Sequence, residues 1–219
     1  MALLRVRYQT HEFGDLDIHV RTLRDNQEFD DIDGEAEKLG ISSATWPLFG
    51  IVWPSSQVLS HHMADYKIGN KRILEVGCGI GLASLVLNHR HADITATDYH
   101  PESGNFLKQN VDLNHGRAIP FVRTGWADAE TNLGLFDLII GSDLLYEQEH
   151  ADLLSQFIEQ HAKPVCDVVL VDPGRGNHAK FSKRMVTLGY EHTQHKPIHT
   201  EFLLAPFGGQ ILSYCRTNS

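Results

Sequence analysis

Cysteine is scarce in this sequence. Only three are present among 219 residues, at Cys78, Cys166 and Cys215. An odd number of widely separated cysteines fits neither a disulfide framework nor the paired spacing of a zinc site, so we expect reduced thiols and a cytoplasmic location. The 14 histidines come without a matching set of acids or cysteines, and no metal site is predicted.

Long apolar runs are also missing. No run approaches the roughly 20 residues that a membrane-spanning helix needs, so no membrane insertion or membrane partner is expected. The first residues lack the apolar core and small-residue cleavage site of a secretion signal, and we expect no export. The composition, 42% hydrophobic and 21% charged, is ordinary for a globular chain.

Basic residues are outnumbered, with 19 Lys and Arg against 28 Asp and Glu and a net charge of -9. Because no long basic face is available to follow phosphates, nucleic acid is not an expected partner. Residues 25–37 hold seven acids and no Lys or Arg, so the rest of the chain carries only -2. Like charges repel, which predicts a solvated loop there; the alternative is a stretch that attracts a basic partner.

From Arg72 onward, short apolar runs alternate with amphipathic segments, a pattern typical of βαβ units around a parallel sheet. Helices are expected after the first, fourth and fifth strands, and Gly189 is well placed to end the last of them. The alternating pattern near the C-terminus predicts a closing antiparallel strand. The expected strands are residues 73–76, 94–97, 119–122, 136–140, 168–171 and 210–216.

The sequence predicts two parts: an extension at residues 1–45 and the main domain at residues 46–219. Strand-like runs at 3–8 and 16–23 predict a β-hairpin, with the acidic loop after it. Two prolines and a glycine argue against regular structure at 46–54. Ser55 or Ser56 is then expected to cap a helix.

A glycine-rich loop, residues 77–81, lies between a predicted strand and a predicted helix. Glycine lets the backbone turn tightly and approach a ligand, and the N–H groups at a helix start favour an anionic group. A dinucleotide fingerprint wants glycine or alanine three positions after Gly79, where Leu82 stands, so NAD or FAD fits poorly. Asp98 closes the second strand 21 positions after Gly77, near the spacing at which an acid accepts hydrogen bonds from ribose hydroxyls.

Several segments carry a resemblance to known enzymes, residues 53–56, 110–114 and 124–128 among them. Residues 74–81 resemble motif I of the class I, seven-strand S-adenosylmethionine-dependent methyltransferases. Residues 136–147 carry Asp143 and Tyr146 as Asp-x-x-Tyr, and they resemble the segment after strand four in the family 16 protein-lysine methyltransferases. The resemblance covers about residues 45–175, while the two ends share only the general layout.

The resemblance implies an α/β fold: a Rossmann-like, doubly wound sheet of seven strands, mostly parallel, with an antiparallel C-terminal strand. It also implies S-adenosyl-L-methionine as cofactor and S-adenosyl-L-homocysteine as product. Ala127 departs from the family pattern, because many relatives have glycine at this position, directly after the tryptophan that corresponds to Trp126. The cofactor contacts implied by the resemblance are Trp53, Glu75, Gly77, Gly79, Gly81, Asp98, Trp126 and Ser142.

Methyl transfer from a sulfonium needs a neutral nucleophile aligned behind the methyl group, so few catalytic groups are required. As catalytic residues, Asp143 would orient an amine by accepting its hydrogen bonds, and the Tyr146 ring would face a methylammonium. The alternatives are a helix N-cap for Asp143 and core packing for Tyr146. Residues 172–175 follow the fifth strand and either line the acceptor pocket or form a turn with a surface arginine, Arg175.

The predicted function is N-methylation of a protein side chain, most simply a lysine, with a basic target attracted by residues 25–37. One alternative is a methyltransferase for a small-molecule amine or nitrogen heterocycle. Another is a protein that binds the cofactor without catalysis. A DNA amino-methyltransferase is disfavoured, because residues 142–146 lack the paired prolines of that motif and the chain is acidic.

Overall fold

The computed structural model describes residues 5–25, 31, 34–43, 46–128, 131–147 and 149–217. An antiparallel hairpin comes first, with strand β1 (Val6–Phe13) paired to strand β2 (Leu16–Leu23). A single helical turn, α1 (Glu35–Lys38), and a 3-10 turn (Trp46–Gly50) lead to helix α2 (Pro54–Asp65). No helix in these ranges is long and apolar enough to cross a membrane.

The main sheet has seven strands in the order β5-β4-β3-β6-β7-β9-β8. Strands β3 to β7 are parallel, while β9 runs antiparallel to both of its neighbours. The predicted α/β fold, with its antiparallel C-terminal strand and its N-terminal hairpin, is therefore confirmed. The elements are β3 (Arg72–Val76), α3 (Leu82–His89), β4 (Asp93–Asp98), α4 (Ser103–Leu113), β5 (Phe121–Arg123), β6 (Phe136–Ser142), α5 (His150–His161), β7 (Ala162–Asp172), α6 (His178–Thr187), β8 (Glu191–His195) and β9 (Gln210–Arg216).

The central strands are apolar at consecutive positions because helices cover both faces of the sheet. On β6, Ile139 packs in a cluster with residues of α5 and α6, and the next residue, Ile140, packs in a cluster with residues of α2 and α3. Both side chains are fully buried. Alternate residues of each strand thus fill two cores, which hold the carboxyl ends of the strands in fixed register.

The hairpin packs onto the main domain through its second strand. Ile18, Val20 and Leu23 share one apolar cluster with Ile80 of the glycine-rich loop and Phe106 of α4. The division into residues 1–45 and 46–219 stays a prediction.

Several local expectations were wrong. Strand β1 extends to Phe13, beyond the predicted 3–8, of which residues 3 and 4 lie outside the described ranges. Residue 53 holds the cap position of α2, with Pro54 at its start, so neither Ser55 nor Ser56 caps that helix. Pro fits there because the first helical N–H needs no partner within the helix.

Regular structure appears where none was expected. Residues 46–50 form the 3-10 turn, and α1 lies within the predicted acidic loop, much of which falls outside the described ranges. Helix α4 and strand β8 were missed. The side chains of β8 are mostly exposed and polar, so the strand has no apolar alternation to reveal it. Gly189, with φ 87°, follows the end of α6 as predicted.

Candidate active site

Most of the predicted site residues lie at or just after the carboxyl ends of β3, β4 and β6, whereas Trp53 precedes α2 and Trp126 follows β5. Val76 of β3 is in register with Thr97 of β4 and with Gly141 of β6. The chain leaves β3 toward β4 on one side, and β6 continues to β7 on the other. Open α/β sheets bind ligands in the crevice at such a switch point in strand order.

The glycine-rich loop depends on glycine at three positions. Gly77, Gly79 and Gly81 have φ values of 61°, 55° and 78°, in the left-handed region. A Cβ on Gly79 would lie 2.8 Å from the carbonyl oxygen of Phe49, which is too close for a real contact. The 3-10 turn therefore closes over the loop, and only glycine permits that approach.

Asp98 joins the end of β4 to this loop. Its carboxylate accepts hydrogen bonds from the backbone N–H of Gly79 at 2.7 Å and of His100 at 2.8 Å. Burial raises the pKa of this carboxyl. The Tyr99 N–H and the Ser103 hydroxyl also act on this carboxylate. Asp98 therefore ties the end of β4 to the loop and to the start of α4, beside the close backbone approach at Gly79, and its predicted contact with a ribose stays a prediction.

Glu75 points into the protein beneath the loop. Its carboxylate accepts hydrogen bonds from the backbone N–H of Ser84 at 2.8 Å and from the Ser84 hydroxyl. Burial raises the pKa of Glu75 to about 7. Glu75 therefore holds the first turn of α3 against β3, and its predicted role toward the cofactor stays a prediction.

Two tryptophans were predicted to contact the cofactor, Trp53 before the glycine-rich loop in the sequence and Trp126 after it. Trp53 is partly buried, and its indole N–H donates to the carbonyl of Leu48 at 2.9 Å, which ties it to the 3-10 turn. Trp126 is partly buried and meets the ring of His150 edge-on, with centroids 5.1 Å apart. Ser142, also partly buried, is the last residue of β6.

Asp143 has a backbone conformation that few residues adopt. Its φ is 54°, and its N–H donates to the carbonyl of Val171 at 2.9 Å. Asp and Asn tolerate this left-handed region better than most residues. Helix α5 begins only at His150, with Glu149 at its cap position, so the alternative role of Asp143 as an N-cap is wrong.

The Asp143 carboxylate is paired with Arg175. The guanidinium donates from Nε to Oδ1 at 2.6 Å and from Nη2 to Oδ2 at 2.8 Å. The Asp143 side chain is 13% exposed and that of Arg175 is 45% exposed. From the sequence, Arg175 was expected either to line the acceptor pocket or to lie at the surface of a turn. In the structure its guanidinium is paired with Asp143, the predicted catalytic acid.

Tyr146 lies at the surface of the site, with 51% of its area exposed, so the alternative of core packing is wrong. Its ring meets His150 edge-on at a centroid distance of 4.4 Å. His150 thus contacts both Tyr146 and Trp126, and its Nδ1 lies 3.0 Å from the carbonyl oxygen of Leu144. Sequence reasoning missed His150, although its position four residues after Tyr146 at a helix start was a usable signal.

Asp172 supplies a second carboxyl and is the last residue of β7. Val171, just before it, pairs with Ser142, just before Asp143. Asp172 is buried, and its Oδ1 accepts a hydrogen bond from the Gly174 N–H at 2.8 Å. Its Oδ2 is buried without a hydrogen-bond partner among the described residues. The carboxyls of Asp143 and Asp172 and the guanidinium of Arg175 therefore lie at the carboxyl ends of β6 and β7.

A profile of the family described as lysine methyltransferase matches residues 37–185. The chain belongs to this family. The matched range includes the glycine-rich loop, Asp98, and Asp143 with Tyr146, so the family match and the observed site coincide.

Individual members of the lysine methyltransferase family are moderately similar. The electron transfer flavoprotein beta subunit lysine methyltransferase of Xenopus laevis is 32% identical over 144 residues, covering 64% of this chain and 56% of the relative. The calmodulin-lysine N-methyltransferase of Arabidopsis thaliana is 26% identical over 153 residues, covering 64% and 50%. The chain thus spans about half the length of the curated relatives it matches.

Solved structures share the fold. A methyltransferase from Pyrococcus furiosus superposes with a TM-score of 0.60 at 19% identity, covering 84% of this chain and 98% of that one. The ribosomal protein L11 methylase from Lactobacillus delbrueckii subsp. bulgaricus gives 0.58 at 20% identity, covering 75% and 79%. At these identities the likeness shows the class I methyltransferase fold and nothing finer.

Proposed function

We propose that this protein is an S-adenosyl-L-methionine-dependent N-methyltransferase that methylates a lysine side chain of another protein. The observation that carries the proposal is Asp143, which is held at the carboxyl end of β6 in a left-handed conformation, with the half-exposed Tyr146 three residues on. Membership of the lysine methyltransferase family supports it. The named substrates of two relatives, an electron transfer flavoprotein subunit and calmodulin, are both proteins.

The loop and its neighbours would hold the cofactor. The backbone of Gly77, Gly79 and Gly81 would border its methionine end, together with Trp53 and Ser142. Asp98 would accept hydrogen bonds from the ribose, and Trp126 would meet the adenine. When bound, S-adenosyl-L-methionine supplies a methyl group on a sulfonium and leaves as S-adenosyl-L-homocysteine.

The acceptor residues have a positioning task. Asp143 would accept N–H hydrogen bonds from the lysine amine and thereby orient its lone pair. That lone pair forms the new N–C bond while the C–S bond breaks and its electron pair stays on sulfur. The exposed Tyr146 ring would face the methylammonium product through its π electrons.

A protein acceptor fits the surface better than a small molecule does. The hairpin packs through β2 on α4, the helix that connects β4 to β5. These strands lie at one end of the sheet, whereas β7 and Arg175 lie beyond the central strands β3 and β6. Within the described residues, the hairpin therefore does not cover Asp143, and Tyr146 is half-exposed, as an incoming side chain requires. We include a cytoplasmic location and a basic target in the proposal, the latter because the chain carries a net charge of -9.

The test is Asp143→Asn, assayed with radiolabelled S-adenosyl-L-methionine and lysate from the source organism. Asn suits a φ of 54° and removes only the charge, so the fold should persist. We expect methyl transfer to fall by about 100-fold or more while cofactor affinity stays within a few-fold. Asp152→Asn is the matched control, since Asp152 is likewise paired to an arginine, Arg184, but on the α5–α6 surface.

The distribution of label separates the alternatives. Label in the protein fraction that depends on Asp143 supports the proposal. Label in the small-molecule fraction would indicate an amine or nitrogen heterocycle as acceptor. Measurable cofactor binding with label in neither fraction would indicate a protein that does not catalyse transfer, and loss of both activity and cofactor binding in Asp143→Asn would contradict the separate roles given to Asp143 and the loop.

A further inference from the structure

Arg175 is positioned on Asp143 by the turn that follows β7. Gly174 and Gly176 flank it with φ values of 100° and 91°, so the turn needs glycine on both sides of the arginine. The hydrogen bonds to Asp143 raise the pKa of the guanidinium, which therefore stays charged. The pair carries no net charge, and it sits where the acceptor amine must come.

A lone carboxylate would be a poor partner for a lysine acceptor. Free lysine has a pKa of about 10.4, so nearly all of it is ammonium at neutral pH and has no lone pair to donate. A nearby negative charge stabilises the ammonium further and raises its pKa by roughly 1–3 units. An unpaired Asp143 would bind the target well, yet would hold it in the form that cannot react.

The charges around the site are mostly negative. The negative charges of Glu147, Asp98 and Asp143 act on Tyr146, and the positive charge of Arg175 opposes them. Asp172 of β7 also acts on Arg175. His178 of α6, with Nδ1 3.6 Å from Asp172 Oδ1, and His150 of α5 face the site as well. Arg175 is thus the permanent cation among these contacts.

We propose that Arg175 neutralises the acceptor site, so that Asp143 holds the target lysine as a neutral amine rather than as an ammonium. This inference rests on the proposed function and gives Arg175 a positioning role through Asp143. Bidentate pairing uses two of about four acceptor positions on the carboxylate, which leaves oxygen lone pairs for the amine N–H groups. The proton of the incoming ammonium goes to solvent before transfer, and the amine lone pair then forms the N–C bond.

The test compares kcat of Arg175→Gln with that of the wild type from pH 7 up to the pH at which the wild-type rate levels off. The acceptor is a peptide that contains the lysine labelled by the wild-type enzyme in the lysate. We expect kcat of Arg175→Gln at saturating peptide to be about tenfold lower on the rising limb of the pH profile, with the deficit closing toward the plateau and the midpoint about one unit higher, because the pKa of the bound acceptor rises by about one unit. Affinity for the peptide at pH 7, measured calorimetrically with S-adenosyl-L-homocysteine present, should be equal or tighter.

Two further variants serve as controls. Arg184→Gln breaks a pair of the same length, 2.6 Å from Nε to Asp152 Oδ1, and should keep the wild-type pH profile. Arg175→Lys keeps the positive charge without the bidentate geometry, so it should lose rate but retain the wild-type pH midpoint. It also serves as the folded comparison if Arg175→Gln is unstable.

The outcomes distinguish this inference from the function on which it rests. A wild-type enzyme that labels no protein overturns both. An active wild type with Arg175→Gln reduced by the same factor at every pH, or with weaker peptide binding at pH 7, overturns the neutralising role alone. A shifted midpoint in Arg175→Lys, matching that of Arg175→Gln, would do the same.

Discussion

At the scale of single residues, the buried carboxyl of Glu75 beneath the glycine-rich loop should make the stability of the fold depend on pH. Its ordinary pKa is 4.5, and burial raises it to about 7 in the folded protein. Between these values the unfolded chain has lost the proton while the folded protein keeps it. Stability from this group is therefore greatest below about pH 4.5 and declines as pH rises toward 7.

Glu75→Gln should remove this pH dependence, because an amide does not ionise but still accepts a hydrogen bond from Ser84. Relative to the wild type, we expect its free energy of unfolding to gain on the order of 1–3 kcal/mol between pH 5 and pH 8. Urea unfolding at both pH values measures it. Glu191→Gln, on the exposed strand β8, is the control. An equal offset from the wild type at the two pH values would contradict the role of burial.

At the scale of elements, Asn110 of α4 and Asn114, which caps the end of α4, take the place of a neighbouring strand along β2. Asn114 accepts from the His19 N–H at 2.8 Å and donates to the His19 carbonyl at 2.6 Å. Asn110, fully buried, accepts from the Arg21 N–H at 2.7 Å and donates to the carbonyls of Arg21 and Ile80 at 3.3 Å. Helix residues four apart thus match strand residues two apart and cover an open sheet edge.

The two asparagines offer a matched pair of substitutions. Asn110→Ala should lower the free energy of unfolding by about 1–3 kcal/mol, since it leaves buried groups unpaired, and Asn114→Ala by about 0.5–1.5 kcal/mol, since its bonds to His19 are exposed and water can replace them. Asn110→Ala alone should also weaken binding of S-adenosyl-L-homocysteine, because Ile80 belongs to the glycine-rich loop. Urea unfolding and calorimetric titration measure the two effects. Equal loss of ligand affinity in both variants would show that Asn110 has no separate link to the loop.

At the scale of the whole molecule, hairpin and main domain share one apolar cluster. Leu23 is fully buried and packs on the 3-10 turn, where a Cβ on Gly50 would lie 2.4 Å from its side chain. The turn in turn covers Gly79. Stability of the hairpin and of the cofactor loop should therefore be coupled, whatever the boundary between the two predicted parts.

Leu23→Ala tests that coupling. We expect a loss of about 2–4 kcal/mol, as for other large-to-small core changes, within a single unfolding transition. Far-UV circular dichroism and tryptophan fluorescence should report the same midpoint. Tyr8→Ala, at a side chain 65% exposed on β1, should change stability by less than about 0.5 kcal/mol. Two separated transitions would instead show that the hairpin unfolds on its own.

The sequence by itself determined the fold class and the outline of the site. Strands covered on both faces are continuously apolar, and a loop that needs left-handed backbone needs glycine, so both leave local patterns at residues 73–81 and 136–146. Asp98 could be found because it closes a recognisable strand, and Asp143 and Tyr146 because their segment after the next long strand resembles the Asp-x-x-Tyr motif of a known family. The polar edge strand β8 and the caps of α2 left weaker patterns, since tertiary contacts and not local preference fix them.

Only the tertiary structure decided how the acceptor residues are paired. Arg175 meets Asp143 across 32 positions of sequence, because β6 and β7 are neighbours and their carboxyl ends open at one edge of the sheet. His150 of α5 contacts Tyr146 and also Trp126, which follows the distant strand β5. Sequence spacing carries no record of such contacts, whose geometry comes from strand order and register. The local sequence thus identifies Asp143 as the candidate catalytic acid, whereas the fold brings the positive charge of Arg175 to it.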